Sequence, residues 1–255
     1  DVLRSLVGSE ICIRDSYSTF VTLRSCEQMR HFLGYMKSNV KIVGTGAGLI
    51  MTWSGNTHYA LEDIAIARSI PNLVVLSPAD ASEAVKIALA AAEYMGPVYI
   101  RLTGGLNHPM VYKSDYQFEI GKAIQLTEDD DVTIFATGSM VFNSLKAAEI
   151  LKERNISAGV VNMHTIKPLD IDCIENKSKS SKLLVSVEEH SKIGGLGSAI
   201  AEHLSSSANH PPLVRMGIKD QFRHAGDYNY LLGENGLLPG QIAENIEKTY
   251  ISHYS

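Results

Sequence analysis

The fold is decided by three apolar runs, Val40-Lys41-Ile42-Val43-Gly44, Leu73-Val74-Val75-Leu76 and Val98 to Leu102, each of which reads as a buried strand. A helical period lies between the first two runs and ends at Pro71-Asn72. A second, alanine-rich helix is predicted to begin at Asp80, because the spacing of Asp80 to Glu83 resembles a capping box. Strands that alternate with helices predict a parallel sheet covered on both faces.

A second alternating block begins near residue 118. The strands predicted there are Val132 to Ala136, Ala158 to Val161, Leu183 to Val187 and Leu213 to Met216, and the helices are Leu145 to Arg154, Ala199 to Leu204 and Gln241 to Tyr250. Residues 103–118 lose the alternation and are rich in turn-forming residues, which is typical of a linker. We therefore predict an α/β protein of two doubly wound domains, residues 1–117 and 118–255.

The first residues fit this pattern poorly. Val2, Leu3 and Leu6 suit a helix, but Ile11 to Asp15 follow at once and read like the end of a strand. A parallel α/β unit needs more chain between two such pieces. The first domain is therefore expected to be incomplete near residues 10–11.

Composition excludes several classes of function. The 255 residues are 45% hydrophobic and 20% charged, which suits one large or two medium domains with buried cores. A net charge of −5 without a basic block argues against nucleic-acid binding. The sequence contains no run of 18 apolar residues, so no membrane span is predicted. The three scattered cysteines, Cys12, Cys26 and Cys173, indicate neither a zinc site nor a disulfide framework. A reducing cytoplasm is the expected location.

Two glycine-rich turns leave ligand binding open as an alternative. Gly44-Thr45-Gly46-Ala47-Gly48 follows a strand, but a dinucleotide fingerprint needs glycine at position 49, which is Leu. Gly194-Gly195-Leu196-Gly197-Ser198 precedes a helix whose N-terminus could hold an anion. A plain turn is the favoured interpretation of the first, and tight packing of the turn that of the second.

Two histidines lie where an α/β protein can place a site. His58 stands between a glycine-rich loop and a helix start, so it can face a cleft beyond the strand ends. His190 follows another strand. For both, a surface or capping role is the competing interpretation.

A set of motifs in one order resembles the transketolase family of thiamine-diphosphate enzymes. Those similar to its pyrimidine-binding domain are Ser18-Thr19-Phe20, Leu23 to Arg30, Gly55-Asn56-Thr57-His58, Glu62 to Ala65, Arg68 to Asn72, Ser77 to Asp80 and Gly96 to Arg101. Those similar to its C-terminal domain are Ala136 to Ser139, Ile166 to Asp170 and Glu188 to Ser198. The resemblance covers nearly all of residues 15–250 and is greatest to the C-terminal subunit of split transketolases.

The resemblance implies a parallel-sheet pyrimidine-binding domain followed by a transketolase C-terminal-like α/β domain. It also implies a transferase that moves a two-carbon ketol unit from a ketose donor to an aldose-type acceptor. The thiamine-diphosphate cofactor serves as the electron sink for C–C cleavage. In the family this half of the enzyme holds the aminopyrimidine ring of the cofactor.

Site residues follow from the same resemblance. Phe20 is expected to stack on the pyrimidine, with Leu23 and Cys26 at the positions one and two helical turns further along. His58 is expected to hydrogen-bond substrate oxygens and to transfer protons. Ser54 stands where the family usually has an Asp that contacts the donor, and Arg101 is carried over as a second substrate contact.

Departures from the family pattern bear on the substrate. A second family histidine falls at Gly46, and the Arg that grips an acceptor phosphate falls near Gly104. With Ser54 these changes remove three polar substrate contacts. A modified sugar, nucleotide-linked or unphosphorylated, is therefore the expected substrate.

Two family motifs are missing from the 255 residues. The Gly-x-x-Glu-Gln segment, whose Glu activates the cofactor, is expected between Glu10 and Ile11. Either a stretch is missing from the sequence there, or the chain is a non-catalytic scaffold that has lost its acid. The Gly-Asp-Gly motif that binds Mg²⁺ and the diphosphate is also missing, so the resemblance implies an N-terminal partner subunit and an α2β2 heterotetramer. The β subunit of a 2-oxoacid dehydrogenase is the alternative enzyme.

Overall fold

The computed structural model describes residues 12–104, 108–128, 131–207, 209–222 and 224–254. In chain order its elements are β1 (Cys12–Tyr17), a π-helical turn (Phe20–Arg24), α1 (Cys26–Gln28), a second π-helical stretch (Met29–Tyr35), β2 (Val40–Thr45), a 3₁₀ turn (Gly55–Thr57), α2 (Asp63–Ser69), β3 (Val74–Leu76), α3 (Ala81–Glu93), β4 (Val98–Arg101), β5 (Ile124–Gln125), β6 (Val132–Ala136), α4 (Met140–Glu153), β7 (Ala158–Asn162), β8 (Thr165–Lys167), α5 (Ile171–Ser180), β9 (Leu183–Ser191), α6 (Leu196–Leu204), β10 (Leu213–Ile218), α7 (Tyr228–Glu234) and α8 (Pro239–Tyr254).

The first sheet has the strand order β1-β2-β4-β3-β8. Its first four strands run parallel, as the alternation of strands and helices predicts. The edge strand β8 runs antiparallel to β3 and comes from the second half of the chain. The prediction of a purely parallel sheet is therefore wrong at this edge, because a strand from the other domain completes the sheet.

The second sheet has the order β10-β9-β6-β7-β5. Strands β10, β9, β6 and β7 are parallel, and the two-residue β5 pairs with β7 antiparallel. Both sheets are thus mixed but mostly parallel, with helices between the strands. The two α/β domains of the sequence-based prediction are confirmed in this form.

The two domains share a hydrophobic core. Val75 and Tyr99 of the first sheet lie in one buried cluster with Val161 and Leu184 of the second and with Met163, which follows β7. Burial of apolar area at about 25 cal/mol per Å² makes such a shared cluster a strong source of cohesion between domains. The relative position of the two sheets is therefore fixed by packing and does not depend on the connecting segment.

The connecting segment is also tied down. Residues 108–123 contain no helix or strand, as the loss of alternation predicts. Asp80 caps α3 by accepting a hydrogen bond from the Glu83 backbone N–H, and its other oxygen accepts from the N–H groups of Val111 and Tyr112. The capping role is confirmed, and the same carboxylate anchors the segment. The domain division at residue 117 stays a prediction.

The turn at Gly194-Gly195-Leu196-Gly197 is tightly packed. A Cβ added at Gly194 would lie 2.5 Å from the Cβ of Ala65, and Gly194 has a φ of +79°. The N–H groups of Leu196 and Gly197 donate to the buried carboxylate of Glu188 at 2.7 and 2.8 Å. The N-terminus of α6 is therefore already occupied by a carboxyl group of the chain itself, which supports the packing interpretation of this turn.

Residues 1–11 lie outside the described part, and with them the predicted N-terminal helix and the expected position of the catalytic glutamate. The strand end expected from Ile11 to Asp15 is present as β1, paired in parallel with β2. Across the described ranges, no helix is both long and apolar enough to cross a membrane.

Candidate active site

The candidate site is built on a loop that leaves the end of β2. Residues 46–60, the site loop, are closed at the base by a pair of backbone hydrogen bonds between Gly48 and Ala60, at 3.0 and 3.2 Å. Gly48 has a φ of +74°, a conformation that L side chains rarely adopt. The loop therefore leaves the carboxyl edge of the parallel sheet, where α/β folds place their ligands.

A short 3₁₀ turn orients His58. Ser54 begins the turn, Gly55 adopts a φ of +65°, and the His58 N–H donates to the Gly55 carbonyl at 2.9 Å. The glycine is required because a side chain at this φ is strained. The imidazole is thus held at the end of a rigid turn and remains half-exposed.

The Thr57 hydroxyl has two hydrogen-bond neighbours, the Ser54 carbonyl at 3.1 Å and His58 Nδ1 at 2.8 Å. When the hydroxyl donates to the carbonyl, its oxygen accepts from Nδ1–H. In that tautomer Nε2 carries the lone pair of the imidazole. This arrangement suits a general base whose reacting nitrogen is Nε2.

Three rings pack together at this point. The Phe20 and His58 ring centroids are 5.2 Å apart, and Tyr17 lies 5.8 Å from each of them. All three contacts are edge-to-face, which is a favoured geometry for aromatic pairs. Phe20 and His58, 38 positions apart in the sequence, are therefore neighbours, as the resemblance implies.

Leu23 and Cys26 follow Phe20 along the same helical segment. Leu23 is 49% exposed and Cys26 is half-buried. The turn Phe20–Arg24 is π-helical, so the spacing differs from the α-helical turns assumed from the sequence. The guanidinium of Arg24 lies 4.1 Å from the Phe20 ring centroid. The group as a whole is an apolar surface edged by rings, which fits an aromatic aminopyrimidine.

Arg101 does not line this surface. Its side chain is 1% exposed, Nε donates to Asp63 at 2.7 Å, and Nη2 donates to the carbonyls of Ala60 and Glu189. The substrate contact expected of Arg101 is therefore corrected to a buried structural role. The reason is that the alternation of β4 turns the residue inward, toward a carboxylate that pairs with it.

Ser54 and Trp53 lie on the site loop. Ser54 is half-buried, and its carbonyl is committed to Thr57. Trp53 is 79% exposed. The structure places Ser54 in the turn that carries His58, so a contact between its hydroxyl and a substrate remains a prediction.

His190 lies in the interior. Its ring is fully buried, Nε2 accepts from the Ala65 N–H at 3.3 Å, and Nδ1 lies 2.8 Å from the Ser191 carbonyl. Burial lowers the pKa of His190 to about 4, so the ring is neutral near pH 7. His190 therefore packs between the domains, away from the surface that carries His58.

Sequence reasoning missed three residues near the site. Arg24 stands four positions after Phe20, a spacing that brings helical side chains together, so this contact could have been predicted. Tyr17 is the last residue of β1. The strand end expected at Ile11 to Asp15, two residues earlier, could have indicated that Tyr17 lies near the site. Glu189, which bonds to the site loop, is 140 positions from its partner Leu49 and leaves no local signal.

Comparison with known proteins identifies the family of both domains. Residues 8–108 match the family model of the transketolase pyrimidine binding domain, and residues 121–242 match that of the transketolase C-terminal domain. The chain is 43% identical to a putative transketolase C-terminal section of Methanocaldococcus jannaschii, over 93% of this chain and 74% of that protein. It is 39% identical to a 6-deoxy-6-sulfo-D-fructose transketolase subunit of a Clostridium species, over 89% and 70% respectively.

Solved structures give the same result. A split-gene transketolase, described as an inactive β4 tetramer, superposes with a TM-score of 0.83 at 38% identity, over 94% of this chain and 75% of that one. A transketolase of Pichia stipitis superposes with a TM-score of 0.72 at 23% identity, over 94% of this chain and 34% of that one, which shows the shared fold. With both family models matched in order and relatives this similar over most of their length, the chain belongs to the transketolase family.

Proposed function

We propose that this chain is the pyrimidine-side subunit of a two-chain, thiamine-diphosphate-dependent transketolase. It transfers a two-carbon ketol unit from a ketose to an aldose-type acceptor. The observation that carries the proposal is the juxtaposition of the Phe20 ring with His58, whose Nε2 is free, beside the exposed Leu23. An apolar ring surface next to a general base is what the pyrimidine side of such a site requires.

The residues of the chain have separate tasks in this proposal. Phe20, Leu23 and Cys26 hold the aminopyrimidine and exclude water from one side of it. His58 Nε2 hydrogen-bonds substrate hydroxyls and accepts a proton from one of them, in the tautomer whose Nδ1–H donates to Thr57. Thiamine diphosphate, when bound, supplies the electron sink for cleavage and formation of the C–C bond.

The partner is proposed to be an N-terminal transketolase subunit that carries the Mg²⁺ and diphosphate site. Support comes from relatives that are described as a C-terminal section and as a subunit. Because the cofactor site needs both chains, an α2β2 heterotetramer in the cytoplasm is the proposed form. A point-group symmetry of this kind is the usual one for such assemblies.

The substrate is proposed to be a modified sugar. Ser54 replaces a charged residue, and Arg101 is buried against Asp63, so neither presents a free charge to a sugar phosphate. Two relatives are named for unusual sugars, one for sulfofructose and one for apulose 4-phosphate, the latter from Phocaeicola vulgatus and 36% identical. The names of these relatives support a modified ketose or aldose, which can itself be phosphorylated.

The experiment is reconstitution. The purified chain is mixed with a transketolase N-terminal subunit, thiamine diphosphate and Mg²⁺, and ketol transfer is measured on a panel of plain and modified sugars. Transfer that needs both chains, with the highest kcat/KM on a modified sugar, supports the proposal. Equal transfer by the N-terminal subunit alone would contradict it, and a best rate on ribose 5-phosphate would contradict the substrate class.

A further inference from the structure

We propose that Glu189, from the second domain, is a positioning residue for the site loop and through it for His58. The inference deepens the proposed function and rests on it only for its kinetic consequences. It assigns to the C-terminal domain a direct part in arranging the pyrimidine side of the site.

The first oxygen of Glu189 holds the base of the site loop. The Leu49 N–H donates to Oε1 at 2.6 Å, and the Glu189 side chain is 1% exposed. A Cβ added at Gly48 would lie 2.3 Å from the same oxygen, so only glycine lets the carboxylate approach the backbone there. A hydrogen bond to a buried charged acceptor is among the stronger ones in proteins.

The second oxygen of Glu189 is held by residues of the second domain, to which Glu189 itself belongs. Oε2 accepts from the hydroxyl of Ser139 and from that of Tyr228, the latter at 2.6 Å. The backbone carbonyl of Glu189 accepts from Arg101 Nη2 at 2.8 Å. Because the backbone and Oε2 of Glu189 are both held by hydrogen bonds, Oε1 is kept in a fixed position to accept from the Leu49 N–H.

Apolar packing places both ends of the site loop against the same domain. Leu49 and Tyr59 are buried in the cluster formed by the second sheet and its helices. Between them, Trp53 reaches solvent and His58 is half-exposed. The loop therefore rests on the second domain at its base. The Leu49–Glu189 bond is the direct polar contact there, and Arg101 Nη2 adds an indirect one by donating to the carbonyls of Ala60 and Glu189.

The consequence concerns the place of His58. If the Leu49 bond is lost, the base of the loop can move, and the imidazole moves with it relative to Phe20. A displacement of about 1 Å at a catalytic group costs up to about 100-fold in rate. Such a change lowers kcat more than it raises KM, since substrate contacts outside the loop remain.

The test compares matched shortenings of two neighbouring buried carboxylates. Glu189→Asp withdraws the carboxylate from Leu49, whereas Glu188→Asp withdraws its neighbour from the N–H groups of Leu196 and Gly197. Glu189→Gln is the rescue variant, because its amide oxygen can still accept from Leu49 while its NH₂ faces the two hydroxyls. Amide hydrogen exchange is measured on the full chain, and kcat and KM on the reconstituted enzyme.

We expect different effects from shortening Glu189 and from shortening Glu188. In Glu189→Asp, exchange of the Leu49 amide rises about 30-fold or more, kcat falls about 10- to 100-fold and KM stays within about 3-fold. Glu188→Asp speeds exchange at Leu196 and Gly197 and changes Leu49 exchange and kcat by less than about 3-fold. In Glu189→Gln, the exchange rate of the Leu49 amide and kcat both stay within about 3-fold of those of the parent chain.

Equal effects of Glu189→Asp and Glu188→Asp on Leu49 exchange and kcat would overturn the inference. If a variant does not fold, amide exchange is measured on the parent chain instead. A Leu49 amide that exchanges as fast as that of the exposed Trp53 would show that the Leu49–Glu189 hydrogen bond does not exist. Because exchange is measured without turnover, the absence of this bond is distinguishable from failure of the proposed function.

Discussion

Arg101 Nε lies 2.7 Å from Asp63 Oδ2, and both side chains are at most 1% exposed. The Tyr99 hydroxyl donates to the same carboxylate oxygen at 2.8 Å. The pair joins β4 to α2, and the second guanidinium nitrogen reaches the Glu189 carbonyl of the other domain. Arg101, which the family resemblance predicts as a substrate contact, thus bonds to groups of both domains.

Removal of one partner of this pair leaves the other charge buried and uncompensated. We expect Asp63→Asn to lower the free energy of unfolding by about 3–5 kcal/mol. The control is Glu149→Gln, which breaks an exposed pair with Lys146 and should cost less than about 1 kcal/mol. Urea unfolding measures both. A cost below 1 kcal/mol for Asp63→Asn would show that water reaches the pair.

His58→Ala tests the assignment of the general base. Loss of acid–base help typically costs about 10²- to 10⁴-fold in rate, whereas a half-exposed imidazole contributes little packing. We expect kcat of the reconstituted enzyme to fall in that range with the melting temperature nearly unchanged. His31→Ala, at an exposed position of the helical segment, is the control. An unchanged kcat would make His58 a surface residue.

Thr57→Val tests the tautomer. The substitution keeps the shape of the side chain but removes the oxygen that accepts from Nδ1 and donates to Ser54. We expect kcat to fall about 10-fold, the equivalent of one net hydrogen bond of about 1.4 kcal/mol. Thr249→Val, which removes an exposed hydroxyl from α8, should leave kcat unchanged. Equal rates for the two variants would mean that Nδ1 needs no fixed partner.

Local signals predicted most of the regular elements. The capping pair Asp80 and Glu83 marks the start of α3, and the β-branched runs mark β2, β3 and β4. Helix beginnings were less accurate: α4 starts at Met140 and α6 at Leu196, earlier than the apolar periodicity alone indicates. The first turn of α6 contains Gly197 and Ser198, which carry little hydrophobic pattern. The first turn of α4 is apolar, with Met140 and Val141 buried, so its start was within reach of the periodicity and was missed.

Long-range relationships could not be read from the sequence. β8 has three residues and pairs with β3 about ninety positions earlier, so no local pattern indicates that it leaves its own domain. The resemblance named Phe20 and His58 as site residues, and the structure places their rings next to each other. Their roles stay predictions. Arg101 was misassigned because its partner Asp63 is distant in the sequence and the pairing depends on packing.

Two buried neighbours give opposite responses to pH. Burial raises the pKa of Glu188 to about 7 and lowers that of His190 to about 4. A carboxyl with a raised pKa loses stability as pH rises from its unfolded value, near 4.5, to 7. A histidine with a lowered pKa gains stability as pH rises from 4 to its unfolded value of 6.5. Between pH 4.5 and 6.5 the two trends oppose each other.

Glu188→Gln should therefore expose the histidine response. Between pH 4.5 and 6.5, we expect the slope of unfolding free energy against pH to be more positive in Glu188→Gln than in the parent chain. The difference is at most about 1.4 kcal/mol per pH unit, the value for one proton. Urea unfolding at several pH values measures it. Identical slopes would show that Glu188 is ionised throughout this range.

The most direct test of the account is calorimetric titration of thiamine diphosphate with Mg²⁺ into the chain. Only the pyrimidine side of the site is proposed to lie on this chain, so we expect the charged diphosphate and metal contacts to come from the proposed partner. No tight binding by the isolated chain is expected at micromolar concentration, and tight binding is expected once the N-terminal subunit is added. Tight binding by the isolated chain would contradict the proposed function.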